Sequence, residues 1–115
     1  MGLVTVAETA IFVRQADKIW SDDEREEFVT FIAANPDSGD VIPDTGGVRK
    51  VRWKRAGVGK RGGARVIYFY RGMARPLYLL MAYAKARRED LSPDEKREVR
   101  GLAAVLKGQR LSYRR

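Results

Sequence analysis

The sequence predicts a small α+β protein in which helices pack on a mainly antiparallel sheet. Apolar residues recur at helical spacing in the first third of the chain and near its end, whereas between these stretches they alternate with cations or form continuous apolar runs. Segments rich in Gly and Pro separate the runs. The predicted order of elements is β-α-α-β-β-β-α, and the 115 residues fit one domain that spans residues 1–115.

A short strand and two helices are predicted in the first third of the chain. Residues 3–8 have the apolar and β-branched composition of a strand, and Thr9 follows as a helix N-cap. Ser21 and Glu24 have the spacing of a capping box for the second helix. The predicted apolar faces consist of Phe12, Ala16, Ile19 and Trp20 in the first helix and of Phe28, Phe31 and Ile32 in the second. The composition of residues 35–47 predicts a long irregular loop.

Three strands and a final helix are predicted in the rest of the chain. Period-two alternation indicates strands at residues 48–55 and 64–71. Residues 77–83 are apolar on both faces, so we expect this strand to be central in the sheet. Ser92 begins a capping box for the last helix. The predicted apolar stripe of that helix is Val99, Leu102 and Leu106.

Charge is distributed unevenly along the chain, whose formal net charge is +8. Residues 1–44 carry 10 acidic and 3 basic side chains, and residues 89–115 carry 5 and 7. Residues 45–88 carry 13 basic side chains and no acidic one. This segment predicts a surface for a polyanion such as nucleic acid. The alternative is an ordinary basic face that keeps the protein soluble.

The absence of two residue types excludes several kinds of chemistry. The chain has no Cys and no His, which excludes disulfides, cysteine nucleophiles, Ser-His-Asp enzymes and the usual zinc sites. We therefore predict neither a metal nor another cofactor. No apolar run approaches the roughly 18 residues of a membrane span, and the first residues do not resemble a signal peptide. We expect a cytoplasmic protein without a membrane partner.

Four cations are predicted to share one face of the hairpin formed by residues 48–55 and 64–71. Alternation directs Val51 and Trp53 to one face and the intervening cations to the other. The four cations are Lys50, Arg52, Lys54 and, if the register allows, Arg65. No acidic residue lies in this part of the chain to pair with them, so they could hold a phosphate and stabilise charge that grows on it. The alternative is that they are outward residues of an exposed sheet.

The turn between these two strands carries two further cations, Lys60 and Arg61. Its sequence, GVGKRGG, differs from a phosphate-binding P-loop because Arg61 stands where Ser or Thr is required and because a strand follows it. We predict a hairpin turn whose cations are able to contact a nucleic acid backbone.

A third basic patch follows the strand at residues 77–83. It consists of Lys85, Arg87 and Arg88, where the chain leaves the sheet. The alternative is a solvated connection in which Glu89 and Asp90 are surface partners. Four tyrosines near the basic patches are able to stack on bases, although strand alternation is expected to bury most of them. They are Tyr68, Tyr70, Tyr78 and Tyr83.

Three successive segments resemble the RelE/HigB branch of the RelE/ParE toxin superfamily of bacterial type II toxin-antitoxin systems. They are NPDSGDVIPDTGGVRKVRWKR, GKRGGARVIYFY and PLYLLMAYAKARREDLSPDEK, and the resemblance covers roughly residues 25–105. It implies a small RelE-like fold with helices packed on a curved, mainly antiparallel sheet. It also implies a toxin that cuts translated mRNA on the ribosome, and a cognate antitoxin that is DNA-binding and HigA-like.

The resemblance also assigns roles to residues of this chain. Lys50 and Arg52 match the basic pair of the family's hairpin strand, Arg65 matches the arginine that opens the next strand, and Lys85 matches the cation at the end of the last strand. We predict that these four are catalytic, with Arg52 and Arg65 on the phosphate and Lys50 or Lys85 in proton transfer. The predicted contacts to RNA or the ribosome are Lys54, Arg55, Lys60, Arg61, Arg87 and Arg88.

Two positions depart from the family pattern, and two other functions stay open. Ala86 and Ser92 stand where the best-known relatives carry an arginine and a tyrosine, and Arg87, Arg88 or Tyr113 are candidates to replace them.

One other function is inhibition of DNA gyrase, as in ParE-like toxins. The second is a basic module that binds RNA or the ribosome without catalysis.

Overall fold

The computed structural model describes residues 2–55, 63–85 and 90–112, with side chains described as far as residue 108. A five-stranded sheet in the order β1-β5-β4-β3-β2 carries three helices, which confirms the predicted α+β class. The elements are β1 (Val6–Glu8), α1 (Ala10–Asp17), α2 (Asp22–Ala34), β2 (Asp40–Val41), β3 (Val48–Trp53), β4 (Ala64–Phe69), β5 (Leu77–Ala84) and α3 (Pro93–Ser112).

The sheet is mixed, with one parallel pair at its edge. The pairs β2–β3, β3–β4 and β4–β5 are antiparallel, whereas β1 runs parallel to β5. The central strand is β4, and all six of its residues are buried. The expectation that residues 77–83 form the central strand was wrong, because β5 lies one position further out and β1 covers its other side. Apolar composition on both faces shows that a strand is interior but does not give its position.

The predicted loop at residues 35–47 contains a strand that the sequence did not indicate. Asp40 and Val41 form β2, which pairs with β3 so that Asp40 lies opposite Lys50. Two residues are too short to show a period, and their pairing depends on a close approach at Gly39. A Cβ atom there would lie 2.8 Å from Cε1 of Tyr68 and 2.9 Å from the carbonyl oxygen of Lys50. Only glycine fits this position without movement of its neighbours.

Buried residues form a separate core on each face of the sheet. Helices α1 and α2 cover one face, where Phe12, Phe28 and Ile32 pack against side chains such as Trp53. Helix α3 covers the other face through Val99 and Ala103, with Leu106 partly buried beside them. The remaining strand side chains of the α3 face include Val48, Ile67, Phe69, Met81 and Tyr83.

The predicted bounds and faces of two helices need correction. Helix α1 ends at Asp17, so Ile19 and Trp20 lie after the helix, although Trp20 is still buried. In α3, Leu102 is 42% exposed, whereas Ala103 is fully buried. The apolar stripe of α3 consists of positions 99, 103 and 106, which are four and then three residues apart. The predicted positions were three and then four apart, and both spacings fit one face of a helix. Leu102 was predicted in place of Ala103 because leucine is the larger and more hydrophobic of the two.

Candidate functional site

Three of the predicted catalytic cations lie on the sheet face that α3 partly covers. In the antiparallel pair of β3 and β4, Lys50 is opposite Ile67 and Arg52 is opposite Arg65. Arg65 is in turn opposite Tyr83 of β5. Alternation places Arg65 and Ile67 on one face of β4, and Ile67 packs in the α3 core. Lys50, Arg52 and Arg65 therefore share this face near one edge of the helix. We call these three residues the cationic cluster.

Arg65 is a buried arginine at the centre of the sheet. Its relative exposure is 1%, and its Nη1 donates a hydrogen bond to the carbonyl oxygen of Ala64 at 3.2 Å. Arg52, directly opposite, is exposed to solvent. Like charges opposite one another lower the stability of an antiparallel pair, and burying a guanidinium adds a desolvation cost. Besides Lys50, which has the largest effect, the charge of Arg65 also helps to lower the pKa of the Asp90 carboxyl group.

Lys50 has an acidic partner that is distant in the sequence. Its Nζ lies 2.5 Å from Oδ1 of Asp90, which precedes α3. The hydrogen bond from Lys50 and its charge hold the pKa of the Asp90 carboxyl below its usual value, and the charges of Lys96 and Arg65 lower this pKa further. Residues 45–88 contain no acidic residue, so the carboxylate beside the hairpin cations comes from another segment of the fold.

Lys54 lies apart from the cationic cluster. Its Nζ is 2.9 Å from Oε2 of Glu27 in α2 and 5.7 Å from the centroid of the Trp53 ring. Trp53 belongs to the core on the α1 and α2 side of the sheet. The predicted alternation does not extend to Lys54 because β3 ends at Trp53. The structure thus separates Lys54 from Lys50 and Arg52, with which it was predicted to share a face.

The remaining predicted site residues are only partly described. Lys85 directly follows β5, is exposed, and its backbone N–H donates to the carbonyl oxygen of Gly63 at 2.9 Å. Arg55 is partly buried. Four other predicted RNA or ribosome contacts, Lys60, Arg61, Arg87 and Arg88, lie outside the described residues. Ala86 and Tyr113 also lie outside them.

The tyrosines divide two and two between the faces, but Tyr78 and Tyr83 share a face that strict alternation would deny them, because the register between β4 and β5 shifts between these two residues. Tyr68 is buried in the core beneath α1 and α2, and Tyr70 packs partly buried against that core. Tyr83 and Tyr78 belong to the α3 side. Tyr83, 6% exposed, is the tyrosine that stands in the row of Arg52 and Arg65. Burial of Tyr68 and Tyr83 supports the expectation that most of these rings serve the core.

Two open clefts meet at Lys50. One cleft, of about 550 Å³, lies between β2 and the start of α3 and is lined by Lys50, Asp90 and Lys96 among others. The second, of about 500 Å³, is lined by Lys50, Arg52 and Phe31 among others. Asp90 and Lys96 were missed as site residues because their sequence separation from Lys50 hides their proximity. The only available signal was the placement of Asp90 just before a capping box.

The described residues offer neither a metal site nor a helix that could span a membrane. Among residues 2–55, 63–85 and 90–112 there is no group of three or more His, Cys, Asp and Glu side chains able to hold a metal ion. In the same part of the chain, no helix combines the length and the apolar character needed to cross a membrane.

The fold and the cationic cluster together define a class of protein: a small α+β protein with a mixed sheet that carries clustered Lys and Arg side chains on one face. A family model described as the RelE toxin of the RelE/RelB toxin-antitoxin system matches residues 6–112. The chain therefore belongs to the RelE toxin family and is a toxin of a toxin-antitoxin system.

Proposed function

We propose that this toxin is an endoribonuclease that cuts mRNA on the translating ribosome. The observation that carries this proposal is the position of Arg52 directly opposite Arg65, beside Lys50 on the same face. A phosphodiester that lies between the two guanidinium groups would accept charge-assisted hydrogen bonds from both, and such hydrogen bonds are among the strongest in proteins. The general activity of the RelE family supports the same reaction.

The proposed reaction begins with attack of a ribose 2′-hydroxyl on the adjacent phosphorus. The bond from the 2′-oxygen to phosphorus forms and the bond to the 5′-oxygen of the next nucleotide breaks, which leaves a 2′,3′-cyclic phosphate and a 5′-hydroxyl. Arg52 and Arg65 stabilise the negative charge on the phosphorane. Lys50 or Lys85 takes the proton from the 2′-hydroxyl or supplies one to the 5′-oxygen.

The ribosome is proposed to position the message, and a cognate antitoxin to block the site. A cluster of cations without His gives electrostatic stabilisation but little proton-transfer power, so orientation of the 2′-hydroxyl by the ribosome would supply much of the rate. The antitoxin is proposed to be a DNA-binding, HigA-like protein whose acidic segment covers the cationic cluster. Its binding is then expected to weaken as salt concentration rises.

The decisive experiment is controlled expression in a bacterium with mapping of new mRNA 5′ ends. The wild-type chain is expected to produce ends inside translated frames. Arg65→Ala and Arg52→Ala are each expected to lower cleavage by about a hundredfold or more, because each removes a cation from the developing charge. Arg14→Ala in α1 is the matched control, since this exposed arginine lies on the other side of the sheet.

Burial of Arg65 requires a separate check of folding. Arg52 is exposed, so loss of cleavage in Arg52→Ala is not expected to reflect unfolding. For Arg65→Ala, thermal unfolding of the purified protein distinguishes loss of fold from loss of activity. Growth arrest without new ends in translated frames would contradict the nuclease and favour gyrase inhibition. Absence of cleavage by the wild-type chain, together with RNA binding that Arg65→Ala weakens by only one charge's share, would favour the non-catalytic RNA-binding module.

A further inference from the structure

The carboxylate of Asp90 marks a position where the fold stabilises an anion. Its Oδ1 lies 2.5 Å from Nζ of Lys50, and the charges of Lys96 and Arg65 act on it as well. These cations come from α3 and from two strands, so their proximity is produced by the tertiary fold. A carboxylate and a phosphate present similar oxygen acceptors to a lysine ammonium. The position of Asp90 is therefore also a position for a phosphate group.

Lys96 brings a cation from α3 to this position. It lies in the first turns of α3 and lines the cleft of about 550 Å³ together with Lys50 and Asp90. The capping box of Ser92 and Glu95 fixes the start of this helix, with both hydrogen bonds formed at 2.9 and 3.1 Å. The backbone N–H of Lys96 donates to the carbonyl oxygen of Ser92. Lys96 is thus held on a rigid element beside the cationic cluster.

The pair of Lys50 and Asp90 is built to exchange partners. The Asp90 side chain is 70% exposed, and the Lys50 side chain is 26% exposed. Ion pairs this accessible to water contribute little to stability, because hydration and side-chain entropy offset the attraction. A phosphate of a polyanion is able to replace the carboxylate. Until it does so, the carboxylate lowers the affinity of Lys50 and Lys96 for phosphate.

From this geometry we propose that Lys50 and Lys96 form a second phosphate subsite of the RNA site, and that Asp90 competes internally for it. The inference rests on the proposed function, because the subsite would hold a phosphate next to the scissile one. Lys50 then binds this second phosphate, and of the two lysines proposed for proton transfer the role falls to Lys85. Lys96 is then an RNA-binding residue. Asp90 lowers the affinity for RNA until a correctly placed strand displaces it, which disfavours polyanions that reach only part of the site.

The test measures binding of inorganic phosphate and of a short single-stranded oligouridylate to the purified full chain. Asp90→Asn is expected to tighten oligouridylate binding about two- to fivefold, the range of an exposed ion pair. Lys96→Ala is expected to weaken it by a similar factor and to lower the slope of log affinity against log salt by about 0.7. Phosphate titration followed by NMR is expected to shift the Asp90 and Lys96 signals together.

Asp94→Asn is the matched control, because it removes the same charge from a residue that pairs with Arg97 on the exposed side of α3. The inference is overturned if Asp90→Asn tightens binding no more than Asp94→Asn does. It is also overturned if Asp90→Asn keeps its full effect when Lys50→Met is present, since the competition requires Lys50.

These results are separable from those that decide the proposed function. If wild-type protein cuts mRNA but Asp90→Asn equals Asp94→Asn, the nuclease stands and the subsite is wrong. If no cleavage occurs in cells but phosphate still shifts Asp90 and Lys96, and the Asp90→Asn effect still depends on Lys50, the subsite stands without the nuclease.

Discussion

Two buried polar side chains lie on opposite faces of β4. Arg65 faces the α3 side, whereas Tyr68 faces the other side and makes two hydrogen bonds to the backbone. The Tyr68 hydroxyl accepts from the backbone N–H of Gly39 at 2.9 Å and donates to the carbonyl oxygen of Pro36 at 2.7 Å. Tyr68 therefore anchors the segment that leads into β2, and β2 flanks Lys50. Its contribution is to stability, whereas Arg65 is proposed to act in function.

Replacement of Tyr68 tests this anchoring role. Tyr68→Phe is expected to lower the free energy of unfolding by about 1–3 kcal/mol, because the backbone N–H of Gly39 loses its buried acceptor. Urea unfolding of both proteins at neutral pH measures the difference. Equal stability of the two proteins would mean that water replaces the hydroxyl at no cost.

The same substitution is expected to change the dependence of stability on alkaline pH. Burial raises the pKa of Tyr68 above its ordinary value of 10.0. The folded state thus favours the neutral form of Tyr68. The stability that this preference contributes is fully present below the pKa of Tyr68 in the unfolded chain, and it is lost as pH rises through the pKa in the folded protein. Above pH 10, the free energy of unfolding is expected to fall less steeply with rising pH in Tyr68→Phe than in the wild-type protein.

At the scale of the elements, helix α1 completes a sheet edge that β1 leaves short. Strand β1 pairs with β5 only from Leu77 to Leu79. Further along β5, the backbone N–H of Ala82 donates to Oε1 of Gln15 in α1 at 2.9 Å. A helix side chain thus replaces the missing strand. The hydroxyl of Thr9, the α1 cap, also donates to the carbonyl oxygen of Leu79 at 2.9 Å.

Substitution of Gln15 tests whether this contact holds α1 on the sheet. Gln15→Leu is expected to cost about 1–2 kcal/mol, because it leaves the N–H of Ala82 without its acceptor. Gln15→Glu keeps an acceptor oxygen at nearly the same size and serves as the control. Thermal or urea unfolding is the measurement, and slower amide exchange at Ala82 in Gln15→Leu than in the wild type would contradict the assignment.

At the scale of the whole molecule, opposite charges are distributed to different elements. Helix α2 has three acidic residues in its first turn, Asp22, Asp23 and Glu24, and packs on the face opposite α3. The cationic cluster lies on the α3 side. An approaching polyanion is thus attracted to one face and repelled by the acidic start of α2, so the field orients it before contact.

This orientation predicts that the position of a charge matters more than the net charge. Arg52→Gln is expected to weaken RNA binding and to lower its salt slope by about 0.7, the share of one phosphate contact on a single strand. Arg14→Gln changes the net charge equally but lies in α1, and we expect unchanged affinity within twofold. Fluorescence anisotropy over a salt series measures both. Equal loss in the two variants would show that binding follows net charge alone.

The sequence by itself determined most of the elements and the alternation on which the site depends. Period two placed Lys50 and Arg52 on one face of β3, and the register between β3 and β4, which the sequence left open, puts Arg65 on the same face. Local signals were sufficient because capping boxes and strand alternation are short-range properties. The catalytic roles of these residues and of Lys85 stay predictions.

Only the tertiary structure decided which distant segments meet. The strand order places β4 at the centre of the sheet, and β2 pairs with β3 beside Lys50. The start of α3 brings Asp90 and Lys96 to the cationic cluster. The register of β5 also shifts at the Ile67–Tyr68 step of β4, which an unbroken apolar run cannot reveal. The physical reason is the same in each case: pairing and packing between distant segments depend on geometry, and a linear pattern of hydrophobicity and charge does not encode that geometry locally.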